Sequence, residues 1–147
     1  MNGEARLRFF TKQMYPDNQV TGAGVILRDN DGYTLILKGV GIGKKWSFPK
    51  GESDSRDTTL FETAVRECYE ETGLQNERDY RIVDVEPFAC FNRLYFIGVL
   101  AEGAEKRICL AIREVNEYSW INPALSCRFW SDLNIGVKTY IKMSKAL

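Results

Sequence analysis

Glu67, Glu70 and Glu71 fall within little more than one turn of a stretch that reads as a helix from about Thr58 to Thr72. At about 100° per residue, i+3 and i+4 neighbours share a face, and Thr63 joins it. Phe61, Ala64, Val65 and Cys68 form an adjacent stripe suited to a core. One helix therefore presents three carboxylates beside its buried face. Like charges at this spacing repel, and more strongly when partly buried, so the trio needs a counter-charge. Arg66 supplies part of it but points away from the centre of the trio, and a divalent cation would supply the rest. Carboxylates without His or Cys partners suit a hard ion, Mg²⁺ or Mn²⁺, better than Zn²⁺. Acidic helix faces are common, and spacing alone favours that plainer description.

The elements that must position this helix are legible in outline. Val20–Leu27 reads as a strand, Asp29-Asn30-Asp31-Gly32 as a turn, and Tyr33–Lys38 as the returning strand. Gly39-Val40-Gly41-Ile42-Gly43 is not a P-loop, because no GK[ST] follows it. Trp46-Ser47-Phe48-Pro49-Lys50-Gly51 leads through a polar loop into the acidic helix, which Gly73 ends in the manner of a C-cap. Arg81–Phe91, Leu94–Leu100 and Ile108–Val115 read as strands, and Trp120–Ile121 adds a short one. Phe129–Met143 reads as a helix with Trp130, Leu133, Val137, Tyr140 and Ile141 near one face.

Composition removes several classes of function. With 147 residues and no linker or repeat, the expectation is one α/β domain over 1–147. Twenty Lys and Arg against twenty Asp and Glu exclude a strongly basic nucleic-acid coat, and no DNA partner is expected. Histidine is absent, which excludes His-based triads and zinc sites. No apolar run approaches a membrane span or a signal peptide. The cysteines at 68, 90, 109 and 127 contain no C-x-x-C pair. They read as reduced thiols, which suits a cytoplasmic protein.

The run Gly51, then Arg66-Glu67-Cys68-Tyr69-Glu70-Glu71-Thr72-Gly73-Leu74, resembles the signature of the Nudix hydrolases over residues 46–74. The match in the second half is complete. The loop between Gly51 and Arg66 is one residue longer than the family pattern, and counting forward from Gly51 places Asp57 where the family's first Glu belongs. The resemblance implies an α/β/α sandwich around a mixed β-sheet, with the possibility of a homodimer. It implies that Glu67, Glu70 and Glu71 hold Mg²⁺ or Mn²⁺, with the backbone carbonyl of Lys50 or Gly51 as a further ligand. It implies that Arg66 orients the carboxylates. The chemistry implied is phosphoanhydride hydrolysis, with Glu67, Glu71 or Glu114 taking a proton from water.

The substrate admits three readings. The Pro49-Lys50-Gly51 form resembles the mRNA-decapping, diadenosine-polyphosphate and viral diphosphoinositol-phosphate branches, and Lys50 there would meet a phosphate. The segment Arg113-Glu114-Val115-Asn116-Glu117-Tyr118-Ser119-Trp120 resembles the one that supplies a catalytic glutamate in decapping enzymes. Capped RNA is therefore the specific expectation, with methylated GDP as product. A cap or base would need exposed rings, and Trp46, Phe91 and Tyr118 are the principal candidates beside Phe9, Phe10 and Tyr15. RNA beyond the cap would need a basic track, from Arg6, Arg8 and Lys12 or from Lys138, Lys142 and Lys145. The alternatives are a small substrate (a diphosphoinositol polyphosphate, a dinucleoside polyphosphate or a nucleoside diphosphate sugar) and a non-catalytic binding module.

Overall fold

The computed structural model describes residues 3–16, 19–41, 43–111, 114–123 and 130–146. A short helix α1 (Gly3–Leu7) precedes β1 (Gly22–Arg28), β2 (Thr34–Gly39), β3 (Trp46–Ser47) and β4 (Lys50–Glu52). Helix α2 (Leu60–Thr72) follows, then β5 (Tyr80–Ile82), β6 (Phe88–Cys90), β7 (Arg93–Leu100), β8 (Val115–Ile121) and helix α3 (Ile135–Ala146).

The strands form one mixed sheet along the order β3-β2-β1-β7-β5, with β4 on β1, β6 on β7 and β8 on β2. β1 and β7 run parallel from Gly22↔Arg93 to Arg28↔Val99, while the other pairings between named strands are antiparallel. β1 touches β2 only at Arg28↔Thr34, so its first half is free to pair with β4 through Gly24↔Lys50. Glycine is required at that crossing: a Cβ on Gly24 would stand 2.3 Å from the Pro49 carbonyl oxygen.

Alternation along the strands makes two cores. Val25, Leu27, Leu35, Leu37, Leu94 and Phe96 face α2, whose Leu60, Phe61, Ala64 and Cys68 cover them. Ile26, Ile36, Tyr95 and Ile97 face the other way, under Leu133, Val137 and Ile141. The expected α/β/α sandwich is therefore the observed fold.

Four expectations for the elements need correction. Ile108–Val115 is not a strand over that span. Residues 104–107 form a 3₁₀ turn, and the Cys109 and Ala111 N–H groups donate to the Thr72 and Glu71 carbonyls. The apolar run packs against the end of α2 instead of entering the sheet. Strand pairing begins at Val115, so Trp120–Ile121 is the end of a seven-residue strand. Arg81–Phe91 is divided into β5 and β6, because the 83–87 connection between them leaves the ladder. The C-terminal helix begins at Ile135 after a 3₁₀ turn at Trp130–Asp132, and Phe129 and Cys127 lie outside the described residues.

Candidate active site

Local chemistry sets both ends of α2. Thr59 is the N-cap and accepts the Glu62 N–H at 3.2 Å, while the Glu62 carboxylate accepts the Thr58 N–H at 2.7 Å. Together they satisfy two backbone donors at a helix start, as a capping box does. At the other end Gly73 takes φ +77° and donates to the Tyr69 carbonyl at 2.8 Å, a conformation that favours glycine.

The acidic face points at the crossing of β1 and β4. Glu67 lies so close to Gly51 that a Cβ there would fall 2.2 Å from the Glu67 carboxyl carbon. Any side chain at Gly51 would therefore displace the Glu67 carboxylate. Gly51→Ala is expected to lower hydrolytic turnover by about 100-fold or more, because the carboxylate must swing away. A circular-dichroism spectrum and melting profile close to wild type would show that the sheet survives. An Ala variant with full turnover would mean that the position of Glu67 is immaterial.

Glu71 accepts the Lys50 N–H at 2.8 Å, which ties the last turns of α2 to β4. Burial pushes the Glu71 carboxyl up to about 7, the Lys50 N–H opposing and Glu67 and Glu114 reinforcing the rise. Burial also raises Glu67, against the pull of Arg66, with Glu70 and Glu114 adding to the rise. Glu114, at the entry to β8, is therefore within electrostatic reach of both helix carboxylates. Burial lowers the Lys50 ammonium and Arg93 adds to that, with Glu71 and Glu67 partly restoring it.

Arg66 organises this cluster. Its Nη1 donates to Glu67 and Glu70, each at 3.1 Å, and its Nη2 to the Glu52 carbonyl at 3.0 Å. On its other side it forks onto Asp57 through Nε at 3.0 Å and Nη2 at 2.7 Å. Asp57 also accepts from Thr63 Oγ1 at 3.0 Å and from the Asp54 N–H at 3.2 Å. Burial by itself would raise the Asp57 carboxyl, but Arg66 and the Asp54 and Thr63 donors hold it below the ordinary range. Asp57 is thus the carboxylate that fixes Arg66 from the side opposite Glu67 and Glu70.

Among the described residues, no three acidic side chains already converge as a metal cage. Arg66 draws Glu67 and Glu70 to one side, and the Lys50 N–H holds an oxygen of Glu71. The donor set nevertheless fits a hard cation: carboxylates on one face of α2 beside the backbone of Lys50 and Gly51. Two of those carboxylates are held above their ordinary range by burial and by one another, which a cation would relieve.

The aromatic candidates separate. Trp46 is 6% exposed in the core beneath α3, so its ring is not open for stacking. Phe10 is likewise buried. Tyr118 is 43% exposed on β8 opposite Leu37, and so on the α2 side of the sheet. Phe91 is 66% exposed in the two-residue loop between Cys90 and Arg93, with φ +54°. A positive φ at the first position of such a loop is the type II′ pattern, which favours glycine. The loop is held beside the site: Asn92 accepts from the Thr21 and Gly22 N–H groups, and Arg93 pairs with Glu52 at 2.9 Å.

Arg8 lines a cavity with Glu62 and Arg66 of α2, whereas the lysines of α3 stand apart from the acidic face. Lys138 and Lys142 lie over the Trp130 ring at 5.9 and 5.8 Å, on the helix that covers the opposite side of the sheet. The side chain of Lys145 lies outside the described residues, as does Arg113. Arg6 pairs with Asp84 and Glu86, and Arg8 with Glu77. No helix among the described residues is long and apolar enough to cross a membrane.

The signals that sequence reasoning missed are the Asp54 and Thr63 donors to Asp57, Arg93 and the β6–β7 loop. Of these, only Thr63 belongs to the helix. Arg93 and the loop reach the site because β7 pairs in parallel with β1.

The family model for the NUDIX domain matches residues 18–126. No curated protein matches the sequence. Among solved structures, an Ap4A hydrolase binary complex from C. elegans is similar, with TM-score 0.67 and 17% identity over 86% of this chain and 96% of that one. A MutT protein from Methanosarcina mazei Go1 gives TM-score 0.56 and 19% identity over 86% and 93%. A NUDIX hydrolase from Nitrosomonas europaea gives 0.61 and 15% over 86% and 89%.

Proposed function

The chain belongs to the Nudix family of hydrolases, and from that premise we propose that it cleaves the phosphoanhydride of a small nucleotide-containing substrate with the aid of Mg²⁺ or Mn²⁺. The observation that carries this reading is the α2 face, where Glu67, Glu70 and Glu71 stand beside the Lys50–Gly51 backbone under the control of Arg66. In this reading those three carboxylates and a carbonyl of Lys50 or Gly51 hold the cation. A divalent ion there supplies charge neutralisation on the diphosphate and a lowered pKa for its water.

The chain's own residues do the rest. Arg66, clamped by Asp57, holds Glu67 and Glu70 at fixed separation, so little reorganisation is needed during reaction. Lys50 offers a mobile positive charge to a phosphate oxygen. Glu114, at the entry to β8 and within electrostatic reach of Glu67 and Glu71, takes the proton of the attacking water. Phe91 and Tyr118 offer exposed rings for a base, and the positive φ of Phe91 is tolerated in exchange for that position.

The small-substrate reading is favoured over capped RNA by the placement of the cations. An RNA body needs a continuous basic track leading to the acidic face. Lys138 and Lys142 lie on the far side of the sheet, and Arg6 and Arg8 are engaged with carboxylates. A panel of diadenosine tetraphosphate, ADP-ribose, a diphosphoinositol phosphate and capped RNA, with Mg²⁺, Mn²⁺ or EDTA, tests the proposal. The expected result is metal-dependent hydrolysis of one of the small nucleotides and loss of it in EDTA. Release of methylated GDP from capped RNA alone would replace this reading with decapping. Equal rates with and without EDTA would overturn the metal-dependent mechanism.

A further inference from the structure

On the side of the sheet away from α2, a cavity of about 550 Å³ opens between the end of β1, the connection before β6 and the last turns of α3. Arg28 lines it. The Nε of Arg28 is buried and has no hydrogen-bond partner among the described residues. Thr34 is its direct partner across β1 and β2, is fully buried, and its Oγ1 also has no partner among the described residues. Directly opposed residues share a face of the sheet. Arg28 thus meets the cavity with a guanidinium whose Nε has no partner among the described residues, and the buried Thr34 hydroxyl beside it is likewise without one among them. A partly buried guanidinium without an anion is unfavourable, and its planar fork matches a carboxylate or a phosphate. The adjacent Asp29 does not meet this need in the structure, because its Oδ1 accepts the Asp31 and Tyr33 N–H groups of the turn.

The walls are of the other kind. Phe88 and Tyr140 hold their ring centroids 6.2 Å apart, and Met143, 49% exposed, lines the cavity as well. Glu86 is also part of the lining, but its largely exposed carboxylate is turned to Arg6, at 3.8 Å. An anion-binding group at the floor, apolar and aromatic walls, and a volume in the range of small-molecule sites define a ligand class.

We propose that this cavity is a second ligand site, separate from the acidic face of α2, for a small organic anion. Its ligand carries one phosphate or carboxylate, which pairs with Arg28, on a flat aromatic body that lies against Phe88, Tyr140 and Met143. Arg28 takes no part in the hydrolytic reaction, so the site is separable from it by mutation.

Titrations of the full chain with naphthyl phosphate, naphthoate and the neutral naphthalenemethanol test this, read by calorimetry and by the NMR signals of the Met143 methyl and the Arg28 side chain. One or both anions are expected to saturate and to shift both signals, with the alcohol at least about tenfold weaker. Which anion binds tighter identifies phosphate or carboxylate as the preferred group. Arg28→Met is expected to weaken the anions at least about tenfold while leaving hydrolytic turnover unchanged. Met143→Trp, which leaves Arg28 in place and fills the cavity, is expected to exclude anions and alcohol together. Equal affinity for anions and alcohol, or anion binding that survives both substitutions, would overturn the proposal. So would the absence of saturable binding to a wild-type chain whose melting profile shows it folded.

Discussion

Glu71→Gln is expected to melt at a higher temperature than the wild-type protein at pH 8 in EDTA, and to hydrolyse substrate at least about 100-fold more slowly with Mg²⁺ present. Both effects have one origin. Burial places the Glu71 carboxyl at about 7 instead of its ordinary 4.5. The folded protein therefore holds that proton more tightly than the unfolded chain does. The stabilising contribution is complete below about pH 4.5 and is lost as pH rises through about 7. Above that, the metal-free protein carries a penalty of roughly 3 kcal/mol from an ionised, part-buried carboxylate. Glutamine has the same shape, is neutral at every pH, and keeps an oxygen for the Lys50 N–H. The gain in melting temperature should therefore shrink as pH falls from 8 toward 4.5.

Divalent cations reverse the order. In the wild-type protein Mg²⁺ is expected to raise the melting temperature, because it binds the folded state and compensates the crowded carboxylates. In Glu71→Gln that rise should be much smaller. Thermal melts at pH 5 and pH 8, with EDTA or Mg²⁺, together with a turnover assay, separate the terms. A variant that melts lower than wild type at pH 8 in EDTA would show Glu71 to be a structural carboxylate. A variant with wild-type turnover would remove it from the catalytic set.

Asp57→Ala is expected to destabilise the protein by about 3 kcal/mol or more. The Asp57 side chain is 4% exposed and Arg66 16% exposed. Removing one partner of a buried, bidentate pair leaves the Nε edge of the guanidinium without its acceptor, with only Glu67 and Glu70 remaining on Nη1, the costly way to break such a pair. Thr63 and the Asp54 N–H lose an acceptor at the same stroke. Turnover should fall as well, since Arg66 no longer has a fixed position from which to hold Glu67 and Glu70. Asp57→Glu restores the family's residue type, yet it adds a methylene to a filled site and is expected to be destabilising too, by about 1–3 kcal/mol. Urea unfolding measures both variants. An Ala variant as stable as wild type would mean that the remaining carboxylates suffice for Arg66.

Much of this arrangement is legible in the linear chain because it is local. The i, i+3, i+4 spacing of Glu67, Glu70 and Glu71, the glycine cap at Gly73 and the turn at Asp29–Gly32 each depend on residues a few positions apart; the N-cap at Thr59, two residues beyond Asp57, is seen in the structure. Their geometry follows from helix and turn stereochemistry without reference to anything distant. Ile108–Val115 shows the opposite case. Its apolar, β-branched content suits a strand, but whether such a run pairs in a sheet or packs on a helix depends on which surface remains uncovered. Here that surface is the end of α2.

The same distinction divides the aromatic candidates. Trp46 and Phe91 are equivalent as residue types, yet one fills the core under α3 and the other stands exposed at the tip of a hairpin. The acidic helix, its glycine end at Gly73 and the hydrolytic family it belongs to rest on short-range spacing and need no tertiary information. The tertiary fold alone brings Glu114 within electrostatic reach of Glu67 and Glu71 and sets the lysines of α3 on the other side of the sheet. Both depend on the pairing of β8 with β2 and on the placement of the two helices on opposite faces. Such contacts join residues far apart in sequence, and they are set by the burial of two cores at once.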